Sequence, residues 1–550
     1  MPLESSVLSE NNIRKIRSWV ETCSENHIGC LTGRDANFFP ARLLQIGNPD
    51  TNYDLRLIES SGTSFMSTLD KSAPPKYMAL SYCWPTPDDT HKLLTTTQET
   101  LPGLMLDITS DSLPKAFRDA VRLAQALDIQ YVWIDSLCII QADEQDWQTE
   151  SSKMAEIFSN AYLTVIAAAG VSCHVGFLER DATRPWCSVP IPDSNSTFAG
   201  GSFCLRYRRH RGSEKMAQIK HGRWITRSWT YQEERLARRV LMFGENKFFF
   251  DCRTMERIEG TDRCKPRPDW VDTIREKTGD NDFDPPIRTN TGQIYKRRTP
   301  YNHWQTLCSH YSRRVLTYAD DKLPAISGMA KHIAKKVDSD YLAGLWREHL
   351  LQDLLWHTID GGKRPDNFRT SHYQYRAPTW SWASKDGHLS WPDMRFFSSS
   401  ESTAYCEILD AQTDLAGLDP YGAVVGGHIK VSGRVIEVEI GLGDVTPKPW
   451  VIQSGGLTTA TIRPDITGVE SGIRVGKKYH ALLIANWQIQ EAKLPIPRGL
   501  LLEKTDGSRS DGLDEFERVG IFIVYSDIAT GHPSPLSAWT SSGARTIAIL

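Results

Sequence analysis

Two short apolar runs in this chain end in side chains able to hold a ligand. The run 77–80 (YMAL) is followed by Ser81, Tyr82, Cys83 and Trp84, and the run 131–134 (YVWI) by Asp135, Ser136, Cys138 and Gln141. Hydroxyl, amide and carboxylate groups orient a small polar molecule, and aromatic rings stack on a flat one. Open parallel sheets gather ligands beyond the carboxyl ends of their strands. If the two runs are neighbouring parallel strands, both polar clusters share one edge of a sheet. The plainer alternative is that Asp135 and Ser136 cap loops while Trp84 packs on a helix.

The elements needed to place these groups are legible around them. Asp111 or Ser112 can cap a helix whose early Pro114 needs no backbone donor, and Phe117, Ala120, Val121, Ala124 and Leu127 recur at helical spacing. Trp147, Glu150, Met154, Ile157 and Ala161 trace a second helix before the apolar run 162–168. Residues 77–84, 131–135 and 162–168 are predicted as parallel strands, joined by helices over 115–127 and 146–159. Connections of that length imply right-handed crossovers and a sheet covered on both faces.

At 550 residues the chain exceeds what one core usually organises. Four regions are expected: an N-terminal helix and strands over 1–75, an α/β domain over 76–255 with an insertion at 171–222, a mostly helical region over 256–395, and a β-rich region over 396–550. In the third, the stretch 341–357 (YLAGLWREHLLQDLLWH) has helical periodicity, and Trp380-Ser381-Trp382 is expected to plug a domain junction. Lys and Arg total 64 against 67 Asp and Glu, so no general basic field favours nucleic acid. The basic run 206–211 (RYRRHR) reads as a solvated face. No apolar run approaches the roughly 20 residues of a membrane span, and the N-terminus lacks a secretory pattern, which points to a cytoplasmic protein.

Eleven cysteines scattered through such a chain are expected to be free thiols rather than a disulfide framework. Cys23, His27 and Cys30 have metal-ligand spacing, but no second close pair completes a set of four. They are therefore assigned to an amphipathic helix, Ile13 to Cys23, with His27 in the following turn, and no metal or cofactor is expected. The chain has no P-loop, no GxGxxG after a strand, no HExxH and no GxSxG, which argues against nucleotide hydrolases, Rossmann oxidoreductases, zincins and α/β-hydrolases.

Three blocks carry a family resemblance: YMALSYCW at 77–84, WIDSLCIIQ at 133–141 and RSWTYQEE at 227–234. Together they resemble the fungal heterokaryon-incompatibility (HET) domain, itself similar to a divergent branch of the Toll/interleukin-receptor (TIR) fold. The resemblance implies a TIR/flavodoxin-like parallel sheet covered by helices. To this the sequence adds a helical region and a C-terminal antiparallel β domain, in the α/β class overall.

Several TIR domains cleave NAD with a glutamate four residues after a tryptophan, at the start of a helix that leads into a strand. Trp229 and Glu233 have that spacing, and the run 240–244 (VLMFG) supplies the strand. The resemblance thus makes Glu233 the catalytic candidate, with Ser81, Tyr82, Trp84, Asp135, Ser136, Gln141 and Trp229 as candidate ligand-binding residues. Glu233, Trp84 and Asp135 are expected to line one open cavity. A carboxylate suits the reaction, because neutral nicotinamide leaves without a general acid while positive charge develops on the ribose. Two departures from the family pattern bear on this: Pro85 stands where glycine is common, and Ile140 where an acidic residue usually precedes Gln141.

The function implied is fungal non-self recognition or programmed cell death, with NAD as a possible substrate. Two alternatives stand beside it. One is a non-catalytic adaptor that binds a partner protein or a second copy through the HET domain. The other is a non-redox enzyme of secondary metabolism acting on a small apolar molecule.

Overall fold

The runs that become central strands are largely apolar, as strands are when they have neighbours on both edges and cover on both faces. In a computed structural model, Tyr77–Ser81, Leu163–Ala167 and Arg239–Phe243 are buried at every position. The structure describes the chain apart from residues 1–2, 5, 32–34, 36–37, 48–53, 61–74, 86–92, 181–186, 191–201, 206–213, 220, 262–263, 267–286, 289–293, 296–298, 360–374, 392–402, 443–449, 455–456, 466–472, 489–494, 509–510 and 525–541. The basic run 206–211 thus lies outside the described residues. The chain divides into two compact units, residues 1–275 and 276–550.

In the first unit, helix α1 (Glu10–Asn26) and the short α2 (Ile28–Leu31) precede strands β1 (Arg42–Ile46), β2 (Leu55–Glu59) and β3 (Tyr77–Ser81). Helix α3 (Lys115–Ala126) leads to β4 (Tyr131–Trp133) and the single turn α4 (Asp135–Cys138). Helices α5 (Glu144–Ser152) and α6 (Met154–Asn160) precede β5 (Leu163–Ala167), and α7 (Thr230–Leu236) precedes β6 (Arg239–Phe243). Strands β7 (Phe248–Cys252), β8 (Met255–Ile258) and β9 (Cys264–Pro266) follow.

The nine strands form one sheet in the order β9-β8-β7-β6-β5-β3-β4-β1-β2. Its centre, β4-β3-β5-β6, is parallel, as the sequence predicts. The sheet as a whole is mixed, because β1–β2 and β7–β9 are antiparallel additions at the two edges. Hairpins need only short connections, so the edges grow without further crossover helices. The helix predicted over 146–159 breaks at Lys153, which leaves helical dihedrals (φ −98°, ψ 2°) and serves as cap to both halves.

The connection from β3 moves toward one edge, to β4, whereas the next, through α5 and α6, moves back toward the other, to β5, as does that from β5 to β6. With right-handed crossovers, α3 and the α5–α6 pair lie on opposite faces. The order 2-1-3-4 within the parallel centre is that of doubly wound, flavodoxin-like sheets. Its topological switch point falls beyond the C-terminal ends of β3 and β5.

The second unit contains helices α8 (Pro300–Tyr311) and α9 (Pro324–Ala334). The stretch 341–357 is not one helix: Tyr341–Leu342 and Leu345–Trp346 form a hairpin, and only Leu350–Asp353 is α-helical. Ala343 and Gly344 have φ of 44° and 100°, the left-handed pair that closes a two-residue hairpin. Gly344 O accepts indole N–H groups from Trp304 and Trp382, both at 2.8 Å. Trp380 and Trp382 are fully buried within this unit.

A nine-stranded sheet completes the unit: β10 (Thr403–Ala404), β11 (Cys406–Leu415), β12 (Val424–Leu442), β13 (Trp450–Ser454), β14 (Leu457–Pro464), β15 (Lys478–Gln488), β16 (Pro495–Ser508), β17 (Asp514–Val524) and β18 (Ala544–Ile549). All pairings are antiparallel except β17–β18. Because β12 pairs with both β13 and β15, strands β12, β15, β16, β17, β14 and β13 close on themselves. Val438, Ile440, Ile462, Leu501 and Phe522 belong to its core.

Beside this core, Arg518 is fully buried. Its guanidinium donates to both carboxylate oxygens of Asp465 (2.9 and 2.8 Å) and to Leu354 O and Trp356 O (2.7 and 2.5 Å), and stacks 3.5 Å from the Trp356 ring. A buried cation is tolerated only when it is paired and hydrogen-bonded in this way. Asp465→Ala should therefore cost about 3–5 kcal/mol, read as a lower urea midpoint at unchanged slope, because it strands the charge. A loss under about 1 kcal/mol would show that the pair is dispensable.

Candidate functional site

The chain leaves β3 as an extended segment, so successive side chains point in opposite directions. Ser81 and Cys83 face one way, where Cys83 packs with Ile166, Ala168 and Trp224. Tyr82 and Trp84 face the other, toward Asp135. This alternation puts the two candidate carboxylates on opposite sides of one strand exit.

On the first side, the Trp224 indole N–H donates to Ser81 Oγ at 2.6 Å, and the Ser81 hydroxyl donates to Glu233 Oε2. Glu233 sits in the first turn of α7 and is 8% exposed, so it is not the partly exposed helix-start carboxylate that its position in the sequence suggests. The start of α7 is held by Thr230, whose hydroxyl lies 2.8 Å from both Trp224 O and Arg227 O. The turn before Trp224 presses on the end of β5: a Cβ at Gly222 would lie 1.9 Å from Ala168 O, so only glycine fits. Residues 222–226, with fully buried Trp224, pack here at the switch point between β3 and β5.

On the second side, Asp135 opens α4 and its carboxylate accepts three hydrogen bonds. Tyr82 OH (2.7 Å) and Ser136 N–H (2.7 Å) reach Oδ1, and the Trp84 indole N–H reaches Oδ2 at 2.6 Å. Burial, reinforced by the Asp135 charge, holds the Tyr82 phenol well above its usual pKa, so it stays a donor. Its ring meets Phe117 edge-on at 5.0 Å. Gln141 donates to Ile139 O at 3.0 Å, and Trp229 meets Trp147 edge-on at 6.4 Å. Arg227 Nη1 donates to Tyr82 O at 2.8 Å, tying the segment before α7 to the strand exit. Burial raises the thiols of Cys83 to about 11 and Cys138 to about 12, so neither is a thiolate nucleophile at neutral pH.

The structure thus joins Tyr82, Trp84, Asp135 and Ser136 in one cluster and Ser81 with Glu233 in another; Gln141 lies at the margin of the first, its amide 3.5 Å from Asp135 O, and Trp229 O accepts the Glu233 backbone N–H at 3.4 Å. Trp224 belongs to the site and was not singled out from sequence, since it lies in no periodic run and at no spacing that announces its role. Arg227 opens the 227–234 block, but its bond to the strand exit was not legible there.

The segment from β3 to α7 is also where a family likeness falls. Residues 77–233 match the family model of the heterokaryon incompatibility protein (HET). The match opens on the first residue of β3 and closes on Glu233, so it spans both carboxylate clusters and three of the four central strands. No curated protein and no solved structure matches the chain. No helix among the described residues is long and apolar enough to cross a membrane.

Asp135 bridges the ends of β3 and β4 within the matched segment through donors only, and an asparagine there would set an NH₂ donor against one of them. Asp135→Asn should destabilise the protein by about 2 kcal/mol, against about 1 kcal/mol for Tyr82→Phe, in urea unfolding monitored by tryptophan fluorescence. Equal losses would mean that the carboxylate is not the hub of the cluster.

Proposed function

We propose that the HET segment is the effector of a cytoplasmic protein of fungal non-self recognition and programmed cell death, and that Glu233 serves cleavage of NAD. One observation carries the reading. Glu233 stands on the helix leading into the fourth parallel strand and is hydrogen-bonded to Ser81 beside the switch point, where doubly wound sheets bind their ligands.

In the reaction, the bond between nicotinamide and ribose C1′ breaks and its electron pair leaves with neutral nicotinamide. Water adds its oxygen to C1′ and releases a proton, giving ADP-ribose. Glu233 stabilises the positive charge that develops at C1′, as carboxylates do in glycoside hydrolysis. Ser81 and Trp224 are positioning residues: the indole fixes the hydroxyl, and the hydroxyl fixes the carboxylate.

A second reading has its own support. Glu233 is only 8% exposed and Asp135 already accepts three donors, the pattern of carboxylates used to hold a scaffold rather than to meet a substrate. It describes an adaptor whose HET segment engages a partner protein or a second copy of the chain.

Full-length protein incubated with NAD and assayed for released nicotinamide separates the two. Under the enzymatic reading the wild type releases nicotinamide and Glu233→Gln lowers the rate by roughly two to three orders of magnitude. The amide oxygen still accepts from Ser81, so stability should fall by only about 1 kcal/mol, checked by thermal melting. A folded wild type that releases no nicotinamide leaves the adaptor reading.

A further inference from the structure

The N-terminal helix carries a cluster of metal-binding side chains that the candidate site does not use. Cys23 lies in the last turn of α1, His27 is its C-cap residue and Cys30 is in α2. The fourth ligand, which spacing alone did not supply, comes from Cys252 at the end of β7, 225 residues beyond His27. One ligand atom from each residue lies within 4.8 Å of all the others, and the cysteines are free thiols with their residues buried.

We propose that Cys23, His27, Cys30 and Cys252 bind a structural zinc ion that fastens α1 and α2 to the β7–β8 edge of the sheet. Three sulfurs and one imidazole are a complete tetrahedral set for zinc, with no position left for water, which marks a structural rather than a catalytic ion. Zinc bond lengths place tetrahedral S···S pairs ~3.8 Å apart and S···N pairs ~3.6 Å apart. Cys252 Sγ lies 3.3 Å from His27 Nδ1, so the ligands need only small adjustments to close around an ion.

The surroundings suit the charge. Three thiolates and one zinc(II) carry a net charge of about −1, and the groups aimed at the sulfurs are donors. Backbone N–H groups of Thr254 and Met255 each point at Cys252 Sγ from 3.4 Å, Arg239 Nη1 lies 3.8 Å from Cys23 Sγ, and Thr254 Oγ1 lies 3.9 Å from Cys30 Sγ. Such outer partners stabilise thiolates and orient them on a metal. The local chain explains the set as well: Cys23 and His27 are one helical turn apart and so lie on the same face, and the turn after His27 brings Cys30 back beside them.

The test is metal analysis of full-length protein purified under reducing conditions without chelator. About one zinc per chain is expected, and exchange for cobalt(II) should give the intense visible bands of a tetrahedral thiolate site. Cys30→Ser and Cys252→Ser should each weaken zinc binding at least about tenfold. A chelator should lower the melting temperature of the wild type by roughly 5 °C or more and leave that of Cys252→Ser unmoved. If the variants do not fold, the stoichiometry and cobalt spectrum of the wild type decide. Folded wild type with less than about one zinc in ten chains and no cobalt bands overturns the proposal, as does mass-spectrometric detection of a disulfide joining any two of the three cysteines.

Discussion

Strand β3 has a parallel neighbour on each edge and no exposed residue, so any polar group leaving its C-terminal end must find its partner inside the protein. Much of the first unit answers to that constraint. Ser81 takes the Trp224 indole and Glu233, while Tyr82 and Trp84 share Asp135. The loop before α7, the single turn α4 and the strand exit are thereby locked to one another. The glycine at 222 and the Thr230 cap are the local conditions that let the chain come close enough to do so.

The same packing limits what chemistry the two clusters can perform. A carboxylate that already accepts three hydrogen bonds has little capacity left for a ligand, and this is the state of Asp135. Glu233 is also engaged, by Ser81, but it stands in the first turn of α7 beside the packed switch point rather than at the start of α4. The difference between them is one of location within the sheet, not of residue type.

The parallel centre of the sheet was legible because its strands are short, mainly apolar runs between helices of regular period. The antiparallel edges were not, since β1, β2 and β7 could equally have paired with each other or formed a separate layer. The stretch 341–357 misled because its leucines recur at helical spacing while the Ala343–Gly344 pair, which folds it back into a hairpin, is a weak signal without its aromatic neighbours. In the site, the Tyr82–Trp84–Asp135 grouping followed from two strand ends sharing an edge. The link from Ser81 to Glu233 did not, because it depends on where α7 docks and on Trp224. Cys252 was invisible as a companion to Cys23 and Cys30 for a simpler reason: ligand spacing is a local pattern, and the sheet brings this residue in from far along the chain.

The distance between α1 and its seat has a bearing on how the protein is made. Trp19 packs against Phe248 and Phe250, and Ile16 and Val20 are buried in the same core. At ribosomal rates of about 5–20 residues per second, α1 is exposed for roughly ten to forty-five seconds before strand β7 has been synthesised. For that interval the nascent chain carries an amphipathic helix with a bare apolar face and two unprotected thiols. The first unit therefore cannot close until residue 252 of 550 has been made, and a helix that waits so long with its apolar face bare gains from chaperones and a reducing environment.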